Sequence, residues 1–154
     1  MTTKNIKKKS RQTADGVQPR ILVIVPTYNE RDNLPHLVAA LLNLKESDLE
    51  VLIVDDNSPD GTGEIADRLA KQDSKIQVLH RQQKTGLGAA YAAGFAWALK
   101  QGYGFVVSMD ADFSHNPEDV PRLLAQKETA AIVLGSRYIP GGKIIGWDWR
   151  RYVN

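Results

Sequence analysis

A chain of 154 residues, 42% hydrophobic and 25% charged, has the length and balance of one soluble globular domain with a core of its own. It contains no cysteine, which excludes disulfides, thiolate zinc sites and a cysteine nucleophile. The net charge of +2 is unevenly spread: residues 1–20 hold six bases and one acid, and the remainder holds 14 bases against 17 acids.

The first twenty residues (Lys4, Lys7, Lys8, Lys9, Arg11 and Arg20 among Gln, Thr and Ser) have too little apolar surface to fold and read as a flexible basic tail. Such a tail is either an inert solvated leader or a contact for anionic lipid headgroups, at about 1 kcal/mol per base near the surface. Nucleic acid is a poor partner, because the acidic remainder has no basic stripe with interleaved aromatics. No apolar run approaches the ~18 residues of a membrane span and no signal-peptide pattern opens the chain, so the cytoplasm is the expected location.

From Ile21 onward, residues 21–154 read as one domain. Apolar, β-branched runs predict buried strands at 21–25, 51–54, 76–79, 105–109 and 131–134. Between them, Leu34, Leu37, Val38, Leu41 and Leu42 repeat at steps of three and four, as do Val120, Leu123 and Leu124, which predicts amphipathic helices. Asn29 or Asp32 is a candidate cap for the first helix, Asp60 for the second, and Asn116 with Pro117, Glu118 and Asp119 for the fourth. Strand and helix alternating in this way predict an α/β, Rossmann-like fold, a mostly parallel sheet with helices on both faces.

In such sheets ligands bind beyond the carboxyl ends of the strands. Polar clusters stand there: Pro26 to Glu30, Asp55 to Thr62, Asp110 to Asn116, and Gly135 to Tyr138. Asp110 and Asp112 at i and i+2 can converge on one hard divalent cation, or they solvate a strand end and cap the next helix. Of Asp55 and Asp56, one should face the crevice to meet a ribose or base and the other the sheet or a turn. Tyr28 and Glu30 can hold a nucleobase, and Arg137 can clamp a phosphate or form a surface ion pair. The segment Lys84 to Gly88 lacks the spacing of a phosphate-binding loop, and its small residues through Gly94 suit close helix–sheet packing. No serine, histidine and aspartate arrangement stands out for nucleophilic catalysis.

Three families share parts of this pattern. Strand two with its acid pair resembles a receiver domain, but a whole strand–helix unit precedes it and no strand-end lysine follows at a suitable place. The DxD resembles the nucleophile motif of haloacid-dehalogenase-type phosphatases, which place it on the first strand rather than the fourth. PTYNE, VDDNSPDGT, KTGLGAAYAAG, MDADFSHNPE, GSRY and GWDWRR together, in that order, resemble the family 2 glycosyltransferases of GT-A fold, and among them the dolichol- and polyprenol-phosphate mannose synthases. That resemblance implies a GDP-mannose donor, a polyprenyl or dolichyl phosphate acceptor at a membrane surface reached peripherally from the cytoplasmic side, and a Mg²⁺ or Mn²⁺ ion. It implies that Pro26, Tyr28, Glu30, Val54 and Asp56 lie along the donor nucleoside, and that Asp110 and Asp112 hold the metal with the Ala111 backbone alongside. Asp112 and Arg137 are then the residues closest to catalysis, Arg137 approaching the phosphates. Some relatives carry a glutamine ligand where this chain has Ser114. A related enzyme using a UDP-sugar is the alternative within the same fold. Members of the family continue for many tens of residues beyond the segment like GWDWRR. This chain is therefore expected to hold the donor half, to bind metal and nucleotide weakly with poor or no transfer, and to expose apolar surface.

Overall fold

The computed structural model describes residues 19–136 and 138, apart from 45 and 47. Arg137, most of the basic tail and the GWDWRR segment lie outside the described residues. The elements alternate along the chain: β1 (Ile21–Thr27), α1 (Leu34–Leu42), β2 (Leu49–Asp55), α2 (Thr62–Gln72), β3 (Ile76–His80), α3 (Leu87–Lys100), β4 (Phe105–Ser108), then a short 3-10 turn (Pro117–Asp119) running into α4 (Val120–Leu124).

The four strands form a parallel sheet in the order β3-β2-β1-β4. The central strands are those with unbroken apolar runs, since both their faces must be covered. Val23 and Val25 face α1, α2 and α4 through Leu34, Leu37, Val38, Leu41, Ala66 and Leu124. Leu22, Ile24, Leu52 and Val54 face the opposite layer, built by α3 through Ala90 and Ala98 and by Tyr103. The predicted two-sided architecture is present.

Small residues set the distance of α3 from the sheet. A Cβ at Gly94 would come within 2.7 Å of Ile24 Cγ2 and 3.4 Å of Val54 Cγ2, so the helix backbone lies almost on the strands. Of the small residues in this segment, Ala90, Gly94 and Ala98 do this packing, whereas Gly86, Gly88 and Ala92 are exposed. Gly86 serves differently: at φ +100° it turns the chain into α3 in a conformation that favours glycine.

Three expectations are corrected. The run at 131–134 is not a strand: among the described residues it has no ladder partner, and Ile132 and Leu134 are about four-fifths exposed (78% and 83%). An apolar run becomes a strand only beside another strand, and β4 is an edge here, with Val106 and Ser108 exposed. Second, neither Asn29 nor Asp32 caps α1. That helix begins after Asn33, whose N–H bonds to the Glu30 carbonyl, while Asn29 sits in a left-handed turn at φ +61°. Third, α2 starts from Gly61 rather than Asp60, although Asp60 Oδ1 still accepts from the Thr62 N–H at 3.0 Å and organises the same turn. Asn116 behaves as expected, its Oδ1 accepting from the Glu118 N–H at 3.1 Å.

The amino ends of the strands are closed by a polar network. Arg20, the last residue of the tail, donates from Nε and one Nη to the two carboxylate oxygens of Glu50, both at 2.8 Å. Its guanidinium also lies 4.2 Å from the centre of the Tyr103 ring, and the Tyr103 hydroxyl donates to Glu50 at 2.7 Å.

Candidate functional site

The loops leaving β1, β2 and β4 surround a cavity of about 210 Å³ at the carboxyl edge of the sheet. Pro26, Tyr28 and Glu30 line it from β1, Asp56 from β2, Asp110, Ala111 and Asp112 from β4, and Lys84, Leu87 and Ala90 from the approach to α3 and its first turn. Eight of the nine predicted site residues are described, and seven of them meet here. Val54 does not line the cavity: its side chain is fully buried beneath α3 among the apolar residues of that layer. The local reason is strand alternation, which turns Val54 into the sheet layer.

The two adjacent aspartates after β2 divide as expected. Asp55 is consumed by its own loop: Oδ1 accepts from the Ser58 hydroxyl at 2.6 Å and the Thr27 hydroxyl at 3.1 Å, and Oδ2 accepts from the Ser58 N–H at 3.1 Å. Asp56 points to the cavity and forms an ion pair with Arg81, which also donates to the Thr85 hydroxyl. Strand register explains the pair. Asp55 lies opposite His80, so the next residues, Asp56 and Arg81, leave the sheet side by side.

Asp110 and Asp112 are held differently from one another. Asp110 Oδ1 accepts from the Tyr91 hydroxyl at 2.7 Å, and its N–H points to His115 Nδ1 at 3.4 Å. Asp112 Oδ1 accepts from the Ser114 N–H at 2.9 Å. This N–H, followed by the Ser114 hydroxyl, holds the Asp112 carboxyl below the usual carboxylate range and hence ionised at neutral pH. Burial first, then the bond to Asp110, pushes the Tyr91 phenol well above its ordinary value, so it stands as a proton-bearing donor. Lys84 Nζ lies 3.7 Å from the centre of the Tyr28 ring at the cavity wall. The three non-glycine residues in the left-handed region among those described, Asn29, Asn57 and Phe113, all lie in the loops after β1, β2 and β4. Asparagine tolerates that conformation, whereas Phe113 carries real strain beside the acid pair.

Two carboxylates one residue apart on a shared cavity suit a hard divalent cation that keeps several waters and takes further oxygens from a substrate's phosphates. Among the described residues there is no group of three or more histidine, cysteine, aspartate or glutamate side chains able to hold a metal.

The site residues missed by the sequence reading are Arg81 and Tyr91, and Lys84 enters it only within a segment assigned to helix–sheet packing. Arg81 and Lys84 follow β3, so the same strand-end rule that found the other clusters also covers them. Tyr91 was concealed in a run of small residues; its signal was one polar aromatic in an otherwise apolar helix, a group that seeks a partner when half-buried.

The family model for glycosyl transferase family 2 matches residues 22–153. The chain belongs to glycosyl transferase family 2. Its parallel sheet with helices on both faces has the architecture of that family's GT-A fold. This family 2 chain is 52% identical over 136 residues to polyprenol monophosphomannose synthase of Mycolicibacterium smegmatis, covering 87% of the chain and 51% of that protein. It is 53% identical over 133 residues to undecaprenyl-phosphate mannosyltransferase of Micrococcus luteus, covering 86% and 54%. The chain thus spans about half the length of the curated relatives it matches. Among solved structures, a mannosyltransferase from Pyrobaculum calidifontis in complex with GDP-Man and Mn²⁺ superposes with a TM-score of 0.52 at 31% identity. That match covers 62% of this chain and 28% of the other.

Proposed function

We propose that this family 2 chain is the donor-binding half of a catalytic domain that transfers mannose from GDP-mannose to a polyprenyl phosphate, with inversion, giving a polyprenyl β-mannosyl phosphate. The observation that carries the reading is the meeting of Asp110 and Asp112 with Tyr28, Glu30 and Asp56 around one cavity at the carboxyl edge of the sheet. The identity to two lipid-phosphate mannosyltransferases favours this sugar and this acceptor class. The GDP-Man and Mn²⁺ of the structural neighbour favour a guanine nucleotide with Mg²⁺ or Mn²⁺.

In this reading Asp110 and Asp112 would hold the cation, with the Ala111 backbone alongside, and Tyr28, Glu30, Pro26 and Asp56 would receive the nucleoside. Only the main chain of Val54 remains to reach the donor, since its side chain is in the core. Arg137 is assigned to the phosphates by resemblance alone. When bound, the metal supplies charge neutralisation for the departing GDP. A lipid monophosphate is already anionic at neutral pH, so attack by its oxygen on the anomeric carbon needs little help from a general base. The bond to the GDP oxygen breaks as the new bond forms. The demand falls on stabilising the leaving group in place. Among the described residues no helix is long and apolar enough to cross a membrane, and the proposal is for peripheral contact at the cytoplasmic face.

Calorimetric titration of GDP-mannose, GDP, UDP-glucose and ATP with Mn²⁺, and again with EDTA, tests the reading. The expected result is metal-dependent binding of the guanine nucleotides that Asp112→Ala abolishes while the thermal midpoint stays within a few degrees. Preference for UDP-glucose would replace the donor. Binding indifferent to EDTA and to Asp112→Ala would overturn the site.

A further inference from the structure

We propose that Tyr91 is a positioning residue for the cation site, holding the Asp110 carboxylate in the orientation that receives the metal. The proposal rests on the reading of Asp110 as a metal ligand and extends it to a residue on another element. Asp110 leaves the end of β4 on a loop whose main chain is tied by the bond from its N–H to His115. That bond does not restrain the carboxylate. Among the described residues, the Tyr91 hydroxyl is the group that does, through one oxygen at 2.7 Å, leaving the second oxygen for the cavity. Asp112, by contrast, is oriented from within its own loop by Ser114.

Tyr91 is itself fixed. The close approach of α3 to the sheet at Gly94, three residues on, places the first turns of the helix over the strand ends, where Ala90 lines the cavity. The Tyr91 ring stacks on Phe95 one turn away, with centroids 6.2 Å apart. A phenol held this way removes rotamers that Asp110 would otherwise lose on binding a cation, and it selects which carboxylate oxygen faces the site. Partners one step removed from a metal typically govern its affinity tenfold or more.

The test is titration of Mn²⁺ in the presence of saturating GDP, following the electron paramagnetic resonance signal of free Mn²⁺. It compares the parent chain, Tyr91→Phe, Asp110→Asn and the double variant. Tyr91→Phe keeps the ring and is expected to weaken Mn²⁺ binding about tenfold. It should leave the thermal midpoint and any GDP binding in EDTA unchanged, which a merely structural role would not. Added to Asp110→Asn, it should weaken Mn²⁺ binding no further. If Tyr91→Phe also lowers the midpoint, Glu50→Ala separates the causes: it destabilises the chain from the opposite end of the sheet and leaves Tyr91 and Phe95 in place, and Mn²⁺ affinity must survive it. Tyr91→Phe with Mn²⁺ affinity within twofold of the parent, or tighter, overturns the proposal, as does an equal loss in Glu50→Ala. A parent chain that binds no Mn²⁺ with GDP sinks the metal reading of Asp110 and Asp112, and the role of Tyr91 with it.

Discussion

The two ends of the sheet use the same kinds of side chain for opposite purposes. At the amino ends, Arg20, Glu50 and Tyr103 satisfy one another: both Glu50 oxygens accept, and Arg20 covers the Tyr103 ring. At the carboxyl ends four carboxylates (Glu30, Asp56, Asp110 and Asp112) line one cavity, and among the described residues Asp110 is engaged through a single oxygen. The first arrangement pairs opposite charges with one another, which stabilises the fold. The second engages Glu30, Asp56 and Asp110 each through one oxygen, so acceptors remain open to a ligand. Saturation, rather than residue type, separates a structural cluster from a candidate site.

Helix α3 joins the two ends, since its first turns meet the cavity and Ala98, near its far end, packs with Tyr103. A change in its middle should therefore break both at once. Gly94→Val puts a Cβ within 2.7 Å of Ile24 Cγ2 and adds two methyl groups in a layer with no space for them. Overpacking of this kind costs about 3 kcal/mol, at the upper end of the usual range. For a chain of this size that is roughly 6–12 °C in thermal midpoint. Mn²⁺-dependent nucleotide binding should weaken in the same variant, because Tyr91 moves with the helix. A midpoint within 2 °C of the parent would show that the helix shifts freely and that the close approach is not a constraint.

Much of this fold was legible because strand ends are marked by chemistry. Apolar runs stop where polar clusters begin at Pro26, Asp55 and Asp110, and the parallel order follows from helices between them. The division of Asp55 from Asp56 was legible for the same reason: adjacent residues at a strand end diverge. What was not legible depends on partners distant in sequence. The Arg81–Asp56 pair requires the β2–β3 register, and the Tyr91–Asp110 bond requires the height of α3 above the sheet, which Gly94 sets. The run at 131–134 failed in the opposite direction. Its composition is that of a strand, but strand formation is a property of a pair, and among the described residues no strand pairs with it.

A change confined to the amino ends acts on one of the two clusters alone. Glu50→Ala removes the acceptor shared by Arg20 and Tyr103, leaving a buried phenol without that partner. Hydrogen bonds to a charged group contribute more than neutral ones, but the half-exposed guanidinium is discounted for solvent screening, and the expected loss is about 1–2 kcal/mol. Urea unfolding should show a lower midpoint at unchanged slope. Mn²⁺-dependent nucleotide binding should be unaffected. A loss of that binding equal to the loss in Asp112→Ala would mean that the two ends are coupled.

The smallest effect concerns pH and isolates a single group of the closed network. Burial, and then the bond to Glu50, pushes the Tyr103 phenol above its ordinary value, with Arg20 opposing. A group whose pKa is raised on folding binds its proton more tightly in the native state, so its contribution is complete below the unfolded value of about 10 and is lost as pH rises beyond it. Stability of the parent should therefore fall between neutral pH and pH 11. Tyr103→Phe should flatten part of that fall while lowering stability slightly at pH 7, where the hydroxyl still donates to Glu50. Thermal midpoints of the two proteins at pH 7, 9, 10 and 11 measure the difference. Parallel curves would mean that Tyr103 titrates alike in the folded and unfolded chain. The network at the amino ends would then owe its strength to Arg20 and Glu50 alone.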